Sequence, residues 1–127
     1  MALSRVLARL FPSAPSKSEP LRGAPEVRRV KTHQAESGYV YQYYFDGWRP
    51  AEGGREYVFA YTLDRERYLA VTVWVEECAL MDSERHAAAK MALFRMFDEA
   101  ASPAELAPAR VSADEAREIL KRLGRLL

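Results

Sequence analysis

Aromatic side chains stand at every second position in two stretches of the chain, Tyr39, Tyr41, Tyr43 and Phe45 in the first and Tyr57, Phe59 and Tyr61 in the second. Side chains of a strand alternate between its faces, so each stretch predicts a strand with a row of rings on one side. The first runs over residues 39–45, with Val40, Gln42 and Tyr44 on its reverse; the second runs over 55–63. A third, over 68–76, alternates Leu69, Val71, Val73 and Val75 against Tyr68, Ala70, Thr72 and Trp74. Asp46-Gly47 reads as a turn, Pro50 lacks the donor that a central strand needs, and Gly53-Gly54 closes the loop. Residues 64–67 form a polar turn. Connections this short make the three strands an antiparallel meander.

The period then changes from two to about 3.6 residues. Ala87, Met91, Phe94, Phe97 and Ala101 make one stripe of a helix over 83–101, capped by Asp82 or Ser83, and Ala89, Leu93, Met96 and Ala100 widen it. So broad an apolar arc calls for more cover than a sheet. Ala88 and Ala92 leave room for a second backbone, and a final helix carrying Ala116, Ile119, Leu120, Leu123 and Leu127 is the natural neighbour. Ser112 with Glu115 is a capping box and Gly124 a stop; Ser102, Pro103 and Glu105 predict one helical turn before Pro108.

At the other end, residues 1–11 place Leu3, Val6, Leu7 and Leu10 on one side of a short helix, and Pro12, Pro15, Pro20 and Pro25 mark a linker. The segment reads as a disordered tail, a docking helix, a targeting presequence or a membrane-surface contact. The fold class expected is α+β: a three-stranded antiparallel β-meander packed on a long central α-helix, plus a short C-terminal helix and an extended basic N-terminal arm. Residues 1–35 form the arm and 36–127 a single α+β domain beginning near Gly38. The aliphatic side of the strands is assigned to the helix, which leaves the aromatic side to the arm, the last helix, a partner or a ligand.

Composition narrows this little. A chain of 127 residues that is 49% hydrophobic and 29% charged has room for one core. Its net charge of +1 favours no class of partner, but the charge is uneven. Up to Ala35, seven basic residues (Arg5, Arg9, Lys17, Arg22, Arg28, Arg29 and Lys31) face Glu19 and Glu26, a surplus of +5 that leaves −4 for the rest. Cys78 is the only cysteine, so no intramolecular disulfide forms and a reducing, cytoplasmic setting is expected, with organelle targeting or membrane contact through the arm as the alternative. No apolar run approaches the ~20 residues a transmembrane helix requires.

Metal-binding and catalytic residue types gather only at Glu76, Glu77, Cys78, Asp82 and His86. Asp82 and His86 are four apart, as a ligand pair would be, yet a cap, a first-turn histidine and a small buried thiol account for them. Glu56, Asp64, Glu66 and Glu76 fall at turns and strand ends, where carboxylates are solvated. Gly53-Gly54 lacks the spacing and the Lys-Ser/Thr of a phosphate loop. No catalytic residue, cofactor or metal is therefore assigned, and the protein is expected not to be an enzyme.

The order of three antiparallel strands and a helix, together with Ala87-Ala88-Ala89-Lys90-Met91-Ala92-Leu93, resembles the double-stranded RNA-binding domain. The lysine cluster that this family places at the helix start is represented here by Met81-Asp82-Ser83-Glu84-Arg85-His86. Rings that can stack bases and an arm in which Arg28, Arg29 and Lys31 can follow phosphates make RNA or single-stranded nucleic-acid binding the alternative reading, and the resemblance implies the same. The reading preferred is a small non-enzymatic interaction or assembly protein that engages a protein partner or a second copy. Its surface would be Tyr39, Tyr41, Tyr43, Phe45, Tyr57, Phe59 and Tyr61, with Trp48 and Trp74 as anchors; Arg5, Arg9, Arg28, Arg29 and Lys31 would be the arm's contacts.

Overall fold

The computed structural model describes residues 20–124. Arg5, Arg9 and the amphipathic segment 1–11 lie outside the described residues, as does Leu127. The architecture is α+β, but the sheet has five strands in place of the expected three: β1 (Lys31–Gln34), β2 (Val40–Ala51), β3 (Gly54–Thr62), β4 (Leu69–Glu76) and β5 (Ala109–Val111), in that spatial order. The first four pair antiparallel, and β5 lies parallel to β4. Among the described residues the result is a mixed, curled half-barrel with two α-helices, α1 (Asp82–Glu99) and α2 (Ala113–Arg122). The expected order of three antiparallel strands and a helix is present as β2, β3, β4 and α1 inside this larger sheet.

Both extra strands are short, and neither shows an alternation that a sequence reader would notice. Lys31-Thr32-His33-Gln34 is wholly polar, and it becomes a strand because the edge of β2 is there to receive it, with His33 opposite Tyr41. Its other hold is on the helix. His33 Nε2 lies 2.9 Å from Asp98 Oδ1, the same oxygen accepts the Glu36 N–H, and the imidazole stacks on Phe94 at 4.6 Å. β5 follows Pro108 directly and is reached from β4 through α1 and a 3-10 turn at Pro103–Glu105, the crossover that parallel pairing demands.

Asp46-Gly47 is not a turn. β2 runs straight through it as a β-bulge: Phe45 pairs with Phe59 and Gly47 with Val58, leaving Asp46 over. Gly47 takes φ +133°, and a Cβ there would lie 2.8 Å from Leu21 Cβ and 3.0 Å from Arg22 O. The surplus residue reverses the alternation, so Trp48 falls opposite Tyr57 and joins the ring-bearing side. Arg22 closes the strand's outer edge here, exchanging both backbone hydrogen bonds with Trp48 at 2.7 and 2.9 Å.

The register also decides which face the helix covers. Tyr57 lies opposite Val73, Phe59 opposite Val71 and Tyr61 opposite Leu69, so the aromatic rows and the valine row share one side. α1 packs on that side, which corrects the expectation of an aliphatic face for the helix and a separate aromatic one. Phe97 stacks on Tyr41 at 4.1 Å with planes 8° apart, and meets Tyr43 and Tyr61 at 6.1 Å each. α2 adds Ala116, Ile119 and Leu120 to the same core, packing on α1 and β4. Ser112 and Glu115 cap it reciprocally, as the spacing predicts. α1 starts one residue ahead of the expected caps, with the Glu84 carboxylate accepting the Met81 N–H.

Candidate functional site

The structure places the sequence-derived surface residues in three different settings. Tyr41, Tyr43, Tyr57, Phe59 and Tyr61 are buried under α1, with Phe45 half-buried beside them. Burial pushes the hydroxyls of Tyr41, Tyr43, Tyr57 and Tyr61 above their ordinary range; for Tyr57 the nearby Arg55 and Arg85 guanidinium groups pull the other way. These rings form the core that joins sheet to helix. Tyr39, at the end of the row, is 39% exposed. The tryptophans lie on opposite faces, each half-buried beneath arginine: Trp48 under Arg55 at 3.9 Å and Arg22 at 5.4 Å, Trp74 under Arg110 at 4.0 Å.

The reverse of the sheet carries no helix among the described residues. Tyr44 and Tyr68 meet across it at 5.3 Å, Arg28 lies over Tyr44, and Arg49 pairs with Glu56 at 3.6 Å. Val58, Ala60 and Thr62, small and sheltered by these bulkier neighbours, are buried there without joining the main core. At one end of the sheet, where β2 begins, β3 ends and β4 begins, apolar side chains reach solvent: Tyr39, Val40, Leu63, Tyr68 and Leu69. The β3–β4 turn bordering them is tightly built. Asp64 Oδ1 accepts the N–H groups of Glu66 and Arg67 and the Thr62 hydroxyl, which holds its carboxyl down at about 2.

The gathering of Glu76, Glu77, Cys78, Asp82 and His86 in sequence is dispersed in space. Glu76 accepts the Ala113 N–H at 2.8 Å, Glu77 pairs with Arg85, and Asp82 pairs with Arg55. The Cys78 carbonyl takes a bond from Arg85. His86 turns into the core instead, its ring edge-on to Phe45 at 4.5 Å. No group of three metal-ligating side chains forms among the described residues.

His86 marks one wall of a cavity of about 320 Å³ that the sequence does not announce. Tyr43, Phe45 and Phe59 line it from the sheet, His86 and Lys90 from α1, and the segment from Gly23 to Lys31 from the open side. Arg29 and Lys31, singled out as arm contacts, both line it, whereas Arg28 turns away to Asp46 at 2.7 Å. The cations at this cavity are Arg29, Lys31 and Lys90, and no carboxylate lines it among the described residues. Burial lowers the His86 pKa, and Lys90 and Lys31 lower it further, so this imidazole is held neutral in a positive field. Lys90 escapes a sequence reading because the fold alone brings it to Arg29, Lys31 and the rings; the i, i+4 pair His86 and Lys90 on one helix side is the sole local signal.

No helix among the described residues is long and apolar enough to cross a membrane. No family model, curated protein or solved structure matches the chain.

Proposed function

We propose that this is a small non-enzymatic interaction protein that associates with a second copy of itself through the open end of its sheet. The observation that carries the reading is the gathering of exposed apolar side chains there, Tyr39, Val40, Leu63, Tyr68 and Leu69, beside a core already closed by α1. Concentrated exposed apolar surface marks association sites. The turn at its border, Asp64-Arg65-Glu66-Arg67, alternates in sign and is neutral overall. A two-fold pairing of identical patches favours such a rim, because each charge finds its opposite on the other copy. The rings named in the sequence reading serve this function indirectly, as the core that holds the patch in place.

The test is the solution mass of the full chain by light scattering across a concentration series, beside a Tyr68→Asp/Leu69→Asp variant. A native dimer and a folded monomeric variant, judged by circular dichroism, support the proposal. A native chain that stays monomeric throughout the series, or a variant that dimerises as well as the native chain, overturns it.

A further inference from the structure

The cavity under the segment from Gly23 to Lys31 is built differently from the sheet end. Its inner wall is a ring surface, with Tyr43, Phe45 and Phe59 from the sheet and the His86 imidazole standing edge-on to Phe45. Its rim is cationic. Arg29 and Lys31 come from the chain entering the sheet, and Lys90 from the third turn of α1, so three positive side chains from two separate segments converge on one opening. Cationic side chains gathered at the mouth of an apolar-walled cavity give it a potential that attracts anions.

No carboxylate lines the cavity among the described residues. Asp46, the nearest acidic residue of β2, is the surplus residue of the bulge and is engaged by Arg28. His86 is pressed toward its neutral form by burial first and then by Lys90 and Lys31, the two lysines that line the cavity beside it. The wall formed by Pro25 and Val27 is thin: Val27 is 70% exposed, so the segment covers the cavity without sealing it. The segment is tied at Arg22 to Trp48, at Arg28 to Asp46 and at Lys31 to Tyr43.

Size and shape complete the description. A volume of about 320 Å³ equals roughly ten waters at ~30 Å³ each, the scale of a one- or two-ring molecule and near the lower end of ordinary ligand pockets. Flat rings suit such a wall, since offset and edge-to-face contacts with Phe45, Phe59 and His86 are available to an aromatic guest.

We propose that this cavity binds a small organic anion, an aromatic ring bearing a carboxylate or phosphate, with the ring against Tyr43, Phe45 and Phe59 and the charged head among Arg29, Lys31 and Lys90. The cavity shares no lining residue with the self-association surface at Tyr39, Val40, Leu63, Tyr68 and Leu69. It requires no chemistry of the guest; the protein recognises and holds it. Arg29 and Lys31 are accessible for substitution without touching the core, and they set the preference for a charged head.

Titration calorimetry of the full chain with three probes tests this: 1-naphthyl phosphate, 2-naphthoate and neutral 1-naphthol. Saturable binding of either anion, weakened by salt and about tenfold or more tighter than 1-naphthol, is the expected result, a tenfold ratio being the ~1.4 kcal/mol scale of one charge-assisted hydrogen bond. Whichever anion binds more tightly identifies the head group. An Arg29→Gln/Lys31→Gln variant should lose about tenfold in affinity while keeping the native melting curve, and the Tyr68→Asp/Leu69→Asp variant should bind as the native chain does. Absence of saturable binding by both anions overturns the proposal. So does equal affinity for 1-naphthol, or binding indifferent to the Arg29 and Lys31 substitutions.

Discussion

Replacing Phe97 with alanine is the perturbation that most directly tests how this molecule is held together. Phe97 is fully buried on α1, stacked on Tyr41 at 4.1 Å and in contact with Tyr43, Tyr61 and His33, so four rings from β1, β2 and β3 lose their shared neighbour at once. Truncation of a buried phenylalanine costs about 3–5 kcal/mol in lost transfer energy and cavity formation, and the stacked pair adds about 1 kcal/mol. A domain of this size has on the order of 5–15 kcal/mol in all. The variant should therefore lose a third or more of its stability, seen as a urea midpoint lower by about 2 M and a melting temperature lower by roughly 15 °C. Tyr39→Ala is the matched control, an aromatic of the same row that reaches solvent, and should cost no more than about 1 kcal/mol. Equal and small effects of the two substitutions would refute the reasoning, because the helix would then not be what covers the aromatic side of the sheet.

Gly54→Ala should destabilise by about 2–4 kcal/mol in the same urea assay, since its Cβ would sit within van der Waals overlap of the Val75 carbonyl and 3.0 Å from Glu76 Cα, backbone atoms that move only if β3 and β4 part. A cost below about 1 kcal/mol would show that the two strands separate there easily. His86 titrates at about 6.5 when unfolded and lower when folded, so the unfolded chain binds the extra proton as pH falls through that window. Stability should accordingly drop below pH ~6.5, and a His86→Leu variant should show a shallower slope over the same range. Identical slopes would remove the positive field of Lys31 and Lys90 from the account of that wall.

The parts of the fold legible in the sequence are those where periodicity is long. Tyr57, Phe59 and Tyr61 on one strand and Val71, Val73 and Val75 on the next declare their alternation, and α1 declares its period, although its buried line runs through Ala88, Ala89, Ala92, Leu93 and Phe97, with Ala87, Met91 and Phe94 half-buried and Ala101 exposed beyond its end. Which of those rows share a face is a matter of register, and register here depends on a bulge at Asp46 and on turn lengths that composition does not encode. Asp46-Gly47 carries the residue types of a hairpin turn, and only the pairing of β2 through it to Ala51 makes it a bulge. β1 and β5 went unread because four polar residues and three residues after a proline have no periodicity to detect; the edges of β2 and β4 impose strand geometry on them. Of the candidate cavity, Arg29 and Lys31 are legible as charge and Tyr43, Phe45 and Phe59 as rings. Their meeting with Lys90 is a tertiary fact, and no spacing along the chain carries it.

The parallel seating of β5 beside β4 gives the molecule an order of assembly. Tyr61 and Leu69 meet across roughly 8 residues, whereas Val73 and Ala109 meet across roughly 36, a difference of about 1.3 kcal/mol in closure entropy. The antiparallel hairpins can zip before α1 has settled; the last strand finds its berth only after the helix has carried the chain back across the sheet. β5 thus pairs after the hairpins, and a chain growing from the ribosome exposes an unpaired β4 edge until β5 has emerged.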